Sequence, residues 1–194
     1  MSALLAEMHP DRIAVCFRTV GADGLPDGLL DEPRFAARLT QIVTRHYDLA
    51  DTGESVEEAD RALALLSREN LEKLAIRAGV VLHARQFVQE IRGPVLAALG
   101  ERFGADALDD ARRHADLAMD KAKIDDLDKL EAEIAGDGTA CLAAWIEALP
   151  VSLKRRVWLK WPNDHAVPAT DRVDLAERGP AILRRLGLFE SRIA

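Results

Sequence analysis

Ser67-Arg-Glu-Asn-Leu-Glu-Lys-Leu-Ala-Ile-Arg-Ala-Gly-Val-Val-Leu-His83 is the stretch on which the fold turns. Leu71, Leu74, Ala75 and Ala78 recur three and four residues apart, the spacing of one face of an α-helix. Ser67-Arg-Glu-Asn70 reads as the start of that helix. Gly79 allows a bend or a close contact with a second helix. The apolar pattern then runs on through Val81, Leu82, Phe87, Val88 and Ile91.

The same period continues on both sides. Upstream, Phe35, Leu39, Ile42, Val43, Tyr47 and Leu49 make a helix from Pro33, ended by Asp51-Thr-Gly53. Ser55 followed by Glu58 is a capping-box pattern ahead of Ala59, Ala62, Leu63 and Leu66. Downstream, Gly93-Pro94 separates two helices. Val95, Leu96 and Leu99 make a short helix stopped near Gly100. Leu108, Ala111, Ala115, Ala118 and Met119 make another after Gly104. Residues 120–135 are polar with sparse apolar anchors, and Gly136-Asp-Gly138 is expected to break them. Leu142, Trp145, Ile146 and Leu149 form a face ended by Pro150. Ser152 is placed to cap a last core helix with Leu153, Val157, Trp158 and Trp161, which Pro162 stops. Residues 162–174 read as a loop, and Pro180 to Leu188 as a terminal helix with Leu183 and Leu186 inward.

The N-terminal region reads differently. Ile13, Val15 and Phe17 alternate with Ala14 and Cys16, which predicts a short strand. Gly21 to Gly28 is turn chemistry. The expected fold is all-α: a single irregular domain of about seven to nine short helices, with a short N-terminal strand. Residues 1–32 form an irregular N-terminal segment, 33–162 the helical core, and 163–194 a C-terminal loop and short helix packed on it.

Composition limits the function classes. With 194 residues and 48% hydrophobic side chains the chain can bury a real core and is too apolar to be disordered. A net charge of −7 argues against a general nucleic-acid binder. No apolar run approaches the roughly 18 to 20 residues that cross a bilayer, so no direct membrane insertion is expected. The start, with its acidic residues, does not read as a secretory signal. Charge is uneven. Residues 105–135 hold ten acidic and five basic side chains, and residues 151–194 nine basic and five acidic ones. Two docking faces of opposite sign would produce this, as would ordinary solvated helix surfaces.

Chemistry-bearing motifs are sparse. Cys16 and Cys141 form no CxxC pair and read as two reduced thiols. His9, His46, His83, His114 and His165 lie far apart with no metal-ligand spacing, and His83 reads as a satisfied core or boundary residue. There is no GxSxG, Walker A or GxGxxG string. Asp125, Asp126, Asp128, Glu131 and Glu133 interleave with lysines as on a solvated, ion-paired helix. No catalytic, cofactor-binding or metal residue is therefore expected, and the chain reads as not an enzyme. Trp145, Trp158 and Trp161 read as packing around Pro150, or as an aromatic anchor for a partner. Lys160-Trp-Pro-Asn-Asp164 resembles the KWPND motif of biotin protein ligases, which implies a biotin-ligase-like enzyme. That family's upstream GRGRxG loop and sheet-rich domain have no counterpart here, and Trp161 and Pro162 fit a helix face and its stop.

A wider resemblance follows from the order of local strings. Ala78-Gly-Val-Val-Leu-His-Ala-Arg85 precedes Pro94-Val-Leu-Ala-Ala-Leu-Gly100 and the start Gly104-Ala-Asp-Ala-Leu108. Trp145-Ile-Glu-Ala-Leu-Pro150 precedes Leu153-Lys-Arg-Arg-Val157 and Leu159-Lys-Trp-Pro162. Over roughly residues 60–162 this order resembles the SctK/YscK family of type III secretion systems. The resemblance implies a non-enzymatic cytosolic adaptor of the sorting platform, peripheral to the inner membrane through its partners. Those partners are the secretion pod protein and the cytoplasmic domain of the inner-membrane ring protein, and no cofactor is implied. The residues themselves leave open an unrelated helical binding protein, such as a chaperone or regulator. The candidate partner-binding residues are the basic Lys154, Arg155, Arg156 and Lys160, with Asp109 and Asp110 as exposed acids on another face. Arg155→Glu combined with Arg156→Glu is expected to weaken one partner without unfolding the chain.

Overall fold

A computed structural model describes residues 3–18, 28, 32–50, 55–121, 125–163 and 168–190. Among them there are eleven α-helices and no strand, so the fold is all-α. In chain order these are α1 (Ala3–Glu7), α2 (Pro10–Arg18), α3 (Pro33–His46), α4 (Glu58–Leu65), α5 (Arg68–Leu82), α6 (Ala84–Gln89), α7 (Gly93–Phe103), α8 (Ala105–Arg113), α9 (Leu127–Ala148), α10 (Val151–Trp158) and α11 (Arg178–Glu190). The packing divides the chain into two compact units at points other than those read from the sequence. Each unit joins two separate stretches: Met1–Arg68 with Leu149–Val167, and Glu69–Ala148 with Pro168–Ala194.

In the first unit the expected N-terminal strand is a helix. Pro10 opens α2, where its missing N–H leaves nothing unsatisfied. Ile13, Cys16 and Phe17 then fall on one helical face and are buried. The alternation of Ile13, Val15 and Phe17 was a coincidence of that face with a half-buried Val15. Pro33 opens α3 in the same way, and Asp48, at φ 50°, turns the chain away just beyond its end. The stop expected at Asp51-Thr-Gly53 lies outside the described residues. The capping box on Ser55 is not made: α4 begins at Glu58, with Glu57 at its N-cap and no side-chain cap bond. Leu5, Met8, Ile13, Cys16, Phe17, Leu39, Val43 and Leu159 form one core cluster, and α4 packs on α10.

The second unit is built around α9, a helix of 22 residues and so about 33 Å long. Asp126 caps its start, its carboxylate accepting the backbone N–H groups of Asp128 and Lys129 at 2.9 and 3.2 Å. The helix runs unbroken through Gly136-Asp-Gly138, which corrects the break expected there. These glycines differ in purpose. Around Gly136 there is open space, whereas a Cβ on Gly138 would overlap the carbonyl of Ala75. A Cβ on Gly79 would likewise overlap the carbonyl of Ile134. So α5 and α9 cross at backbone contact, each contributing the glycine that lets the other in. Gly179 of α11 lies against Cys141 and Ala144 of α9 in the same manner. Leu71, Leu74, Ala78 and Val81 of α5 are sealed from solvent. A fully buried leucine contributes roughly 1.5–3 kcal/mol. α7 runs past Gly100 to Phe103 and stops at Gly104, whose φ of +88° suits glycine.

Candidate functional site

The basic helix picked out by the sequence is α10, in the first unit. Val151, Lys154, Arg155 and Trp158 are spaced i, i+3, i+4 and i+7, which sets them along one stripe. Val151 is 52% exposed and Trp158 37% exposed. The Lys154 ammonium lies 5.9 Å from the Trp158 ring centroid, a cation–π pair one turn apart. The Arg155 guanidinium donates to the Asp48 backbone carbonyl at 2.9 Å and to its carboxylate at 2.5 Å. The stripe is therefore an aromatic and aliphatic surface set in positive charge.

The other two cations turn inward. Lys160 is 3% exposed and donates to Glu7 at 3.2 Å, and Arg156 donates to both Glu7 oxygens at 3.1 Å. Burial lowers the ionisation of the Lys160 ammonium, with the Glu7 charge opposing it. Lys160 is thus not a surface group, and Arg156→Glu would set an acid against Glu7. A cleaner probe of this surface is Lys154→Ala with Arg155→Ala, which places no acid against Asp48.

The residues around Lys160 pin the N-terminal helices. The Arg12 guanidinium donates to the carbonyls of Trp161 and Pro162 at 2.9 and 3.2 Å. The Asn163 amide donates to the Asp11 carbonyl at 3.3 Å, and the His9 backbone N–H to that of Leu159 at 2.8 Å. Trp161 is buried. Lys160-Trp-Pro-Asn163 is here a clasp onto α2 and the turn before it. Of the other tryptophans, Trp145 is sealed inside the second unit.

In that second unit, Asp109 is exposed and 3.8 Å from Arg112 on the same helix. Asp110 is 2% exposed, so the expectation of an exposed acid is corrected. It takes a forked pair of bonds from Arg77 at 2.6 and 3.1 Å, tying α8 to α5.

The strongest polar cluster there was not foreseen. Asp137, between the two glycines of α9, accepts from His83 Nε2 at 2.8 Å, Lys121 Nζ at 2.8 Å and Arg172 at 2.9 Å. His83 Nδ1 lies 2.6 Å from the side-chain oxygen of Gln86, three residues on. A carboxylate only accepts, so Nε2 carries a proton. The hydrogen bond from His83, reinforced by Lys121 and Arg172, holds the Asp137 carboxyl well below the usual carboxylate range. Arg172 also forks onto Asp174 at 2.6 and 2.8 Å. The partners of Asp137 are 54, 16 and 35 residues away, so no local string marks them. His83 is fully buried, which suits a structural tie better than proton transfer to a substrate. Cys141, on the next turn of α9, is buried, which pushes its thiol up to about 12 and keeps it protonated. Among the described residues no three of His, Cys, Asp and Glu converge as a metal site requires.

The chain is similar to the nodulation protein NolU of Rhizobium fredii, 38% identical over 98 residues, which cover 50% of this chain and 46% of NolU. The NolU of Sinorhizobium fredii matches to the same extent. A likeness to D-3-phosphoglycerate dehydrogenase of Mycobacterium tuberculosis is 33% identical over 128 residues, 63% of this chain and 24% of that enzyme. The chain thus spans about half the length of NolU and a quarter of the dehydrogenase. The second likeness brings no GxGxxG loop, and no strand among the described residues, to hold a dinucleotide. No family model and no solved structure matches the chain.

Proposed function

We propose that this chain is a non-enzymatic cytosolic adaptor of a type III secretion sorting platform. It bridges the cytoplasmic domain of the inner-membrane ring protein to the pod protein. The observation that carries the reading is the stripe on α10 of exposed Val151 and Trp158 with half-buried Lys154 and Arg155 between them. Tryptophan and arginine are the side chains on which interface energy concentrates, and an adaptor needs such a surface rather than a reactive cleft. The order of strings over roughly residues 60–162 supports it. So does the likeness to NolU, which favours a role associated with type III secretion over an unrelated helical binder. No described helix is long and apolar enough to cross a membrane; in this reading the partners carry the attachment to the inner membrane.

Co-purification with the ring domain and with the pod protein, followed by light scattering on a sizing column, tests the reading. A discrete complex with either is expected. A folded, helical chain that binds neither, and instead holds one secreted client, is a chaperone. ATP-dependent transfer of biotin to an acceptor would make it a ligase.

A further inference from the structure

Beside the α10 stripe, and within the first unit, lies a pocket of about 460 Å³. Its apolar part includes Leu49 and Leu153, its hydroxyls Thr44 and Ser152, and its cations Arg61 of α4 and Arg156 of α10. Glu7 is the carboxylate bonded to Arg156, and it is shared with Lys160. Those bonds use Nε and Nη2 of Arg156, leaving Nη1 over. Arg61 is exposed and forms no ion pair among the described residues. Asp48, next to Leu49, is taken by Arg155. Among the described residues the lining thus holds two cations, Arg61 and Arg156, and no carboxylate, on a wall that is half hydrocarbon.

We infer that this pocket seats a carboxylate side chain flanked by an apolar residue, presented by the partner protein that docks on α10. The carboxylate lies between Arg61, which offers it a forked pair, and the Nη1 of Arg156, which offers a single bond. Thr44 and Ser152 have hydroxyls to donate to it. The apolar neighbour covers Leu49 and Leu153, which a free inorganic anion would leave wet. The pocket meets the stripe through Arg155, which holds Asp48 beside the pocket residue Leu49, while Leu153 and Arg156 lie round the helix from Val151 and Trp158. The inference rests on the adaptor reading and specifies the chemistry of its partner at this site.

The test uses the full chain, labelled with nitrogen-15, and two probe peptides, acetyl-Leu-Glu-Leu-amide and acetyl-Leu-Gln-Leu-amide. The glutamate peptide is expected to shift the amides of Thr44, Arg61, Ser152 and Leu153. The glutamine peptide is expected to bind about tenfold more weakly, the size of a charged hydrogen-bond loss. Arg61→Ala, an exposed change, removes that difference. Equal binding of both peptides overturns the inference, as does unchanged discrimination in Arg61→Ala. Sodium acetate giving the same shifts at the same concentration also overturns it, since the apolar part would then contribute nothing. Partner capture separates the two readings. Arg61→Ala captured as well as wild type leaves the adaptor standing and removes the pocket from its interface. Peptide discrimination without capture of ring or pod protein keeps the pocket and removes the adaptor.

Discussion

In the second unit one carboxylate, Asp137, takes bonds from His83, Lys121 and Arg172, and Arg172 is matched again by Asp174. In the first unit one carboxylate, Glu7, is shared by Arg156 and Lys160 of the α10 region, while Arg61 pairs with no acid among the described residues. One cluster is closed and balanced; the other has cation left over. Buried charge costs desolvation wherever it sits, and it is tolerated when its partners are complete. A complete set fixes architecture. An incomplete one at a surface is where a further ligand gains most, because part of the desolvation has already been met by the fold.

The comparison breaks most sharply at the helix crossing under Asp137. Gly138→Ala forces a methyl into the Ala75 carbonyl, and no rotamer can relieve it. A loss of about 3 kcal/mol is expected, read as a lower urea midpoint for helix signal. Asp137→Asn is next, at about 2 kcal/mol, because Lys121 and Arg172 still reach water when the carboxylate is gone. Its signature is pH dependence. The folded carboxyl ionises well below its ordinary 3.8, so its contribution is complete above about pH 5. That contribution drains away as pH falls through about 4 toward the folded value, and Asp137→Asn flattens the acid limb of the stability curve. On the α10 stripe, Lys154→Ala with Arg155→Ala should weaken partner capture about tenfold while moving stability by less than about 1 kcal/mol, the exposed Arg155–Asp48 pair being the main loss. Loss of fold in that variant would make the stripe structural. The smallest effect sharpens the first: Gly136→Ala, with open space around it, should stabilise α9 by roughly 0.5 to 1 kcal/mol.

Helical content was legible where burial is one-sided, as at Leu71, Leu74 and Ala78, because a helix face repeats locally. Two errors have the same root. Ile13, Val15 and Phe17 satisfy a period of two by accident, and Pro10 was the sign of helix that outweighs it. Gly136-Asp-Gly138 has the composition of a breaker, yet Gly138 is there for Ala75, 63 positions earlier in the sequence. The basic character of α10 was readable from Lys154 to Arg156. Which cations face out was not, since Glu7 decides it from the other end of the chain. Asp137 was unreadable for the same reason. A polar cluster drawn from four distant positions leaves no trace in any one window.

Because each unit joins two separated stretches, the order of synthesis matters. A nascent chain that has emerged as far as Ala148 carries α1 to α4 without Leu159, against which Ile13, Phe17 and Val43 cluster. It carries α9 without α11, leaving the Cys141 and Ala144 side of that helix bare. Neither unit can close until residues beyond Ala148 have been made. Chain separations this long slow folding and keep apolar helix faces open in the meantime. A premature stop after residue 150 would therefore spoil both units rather than trim one of them.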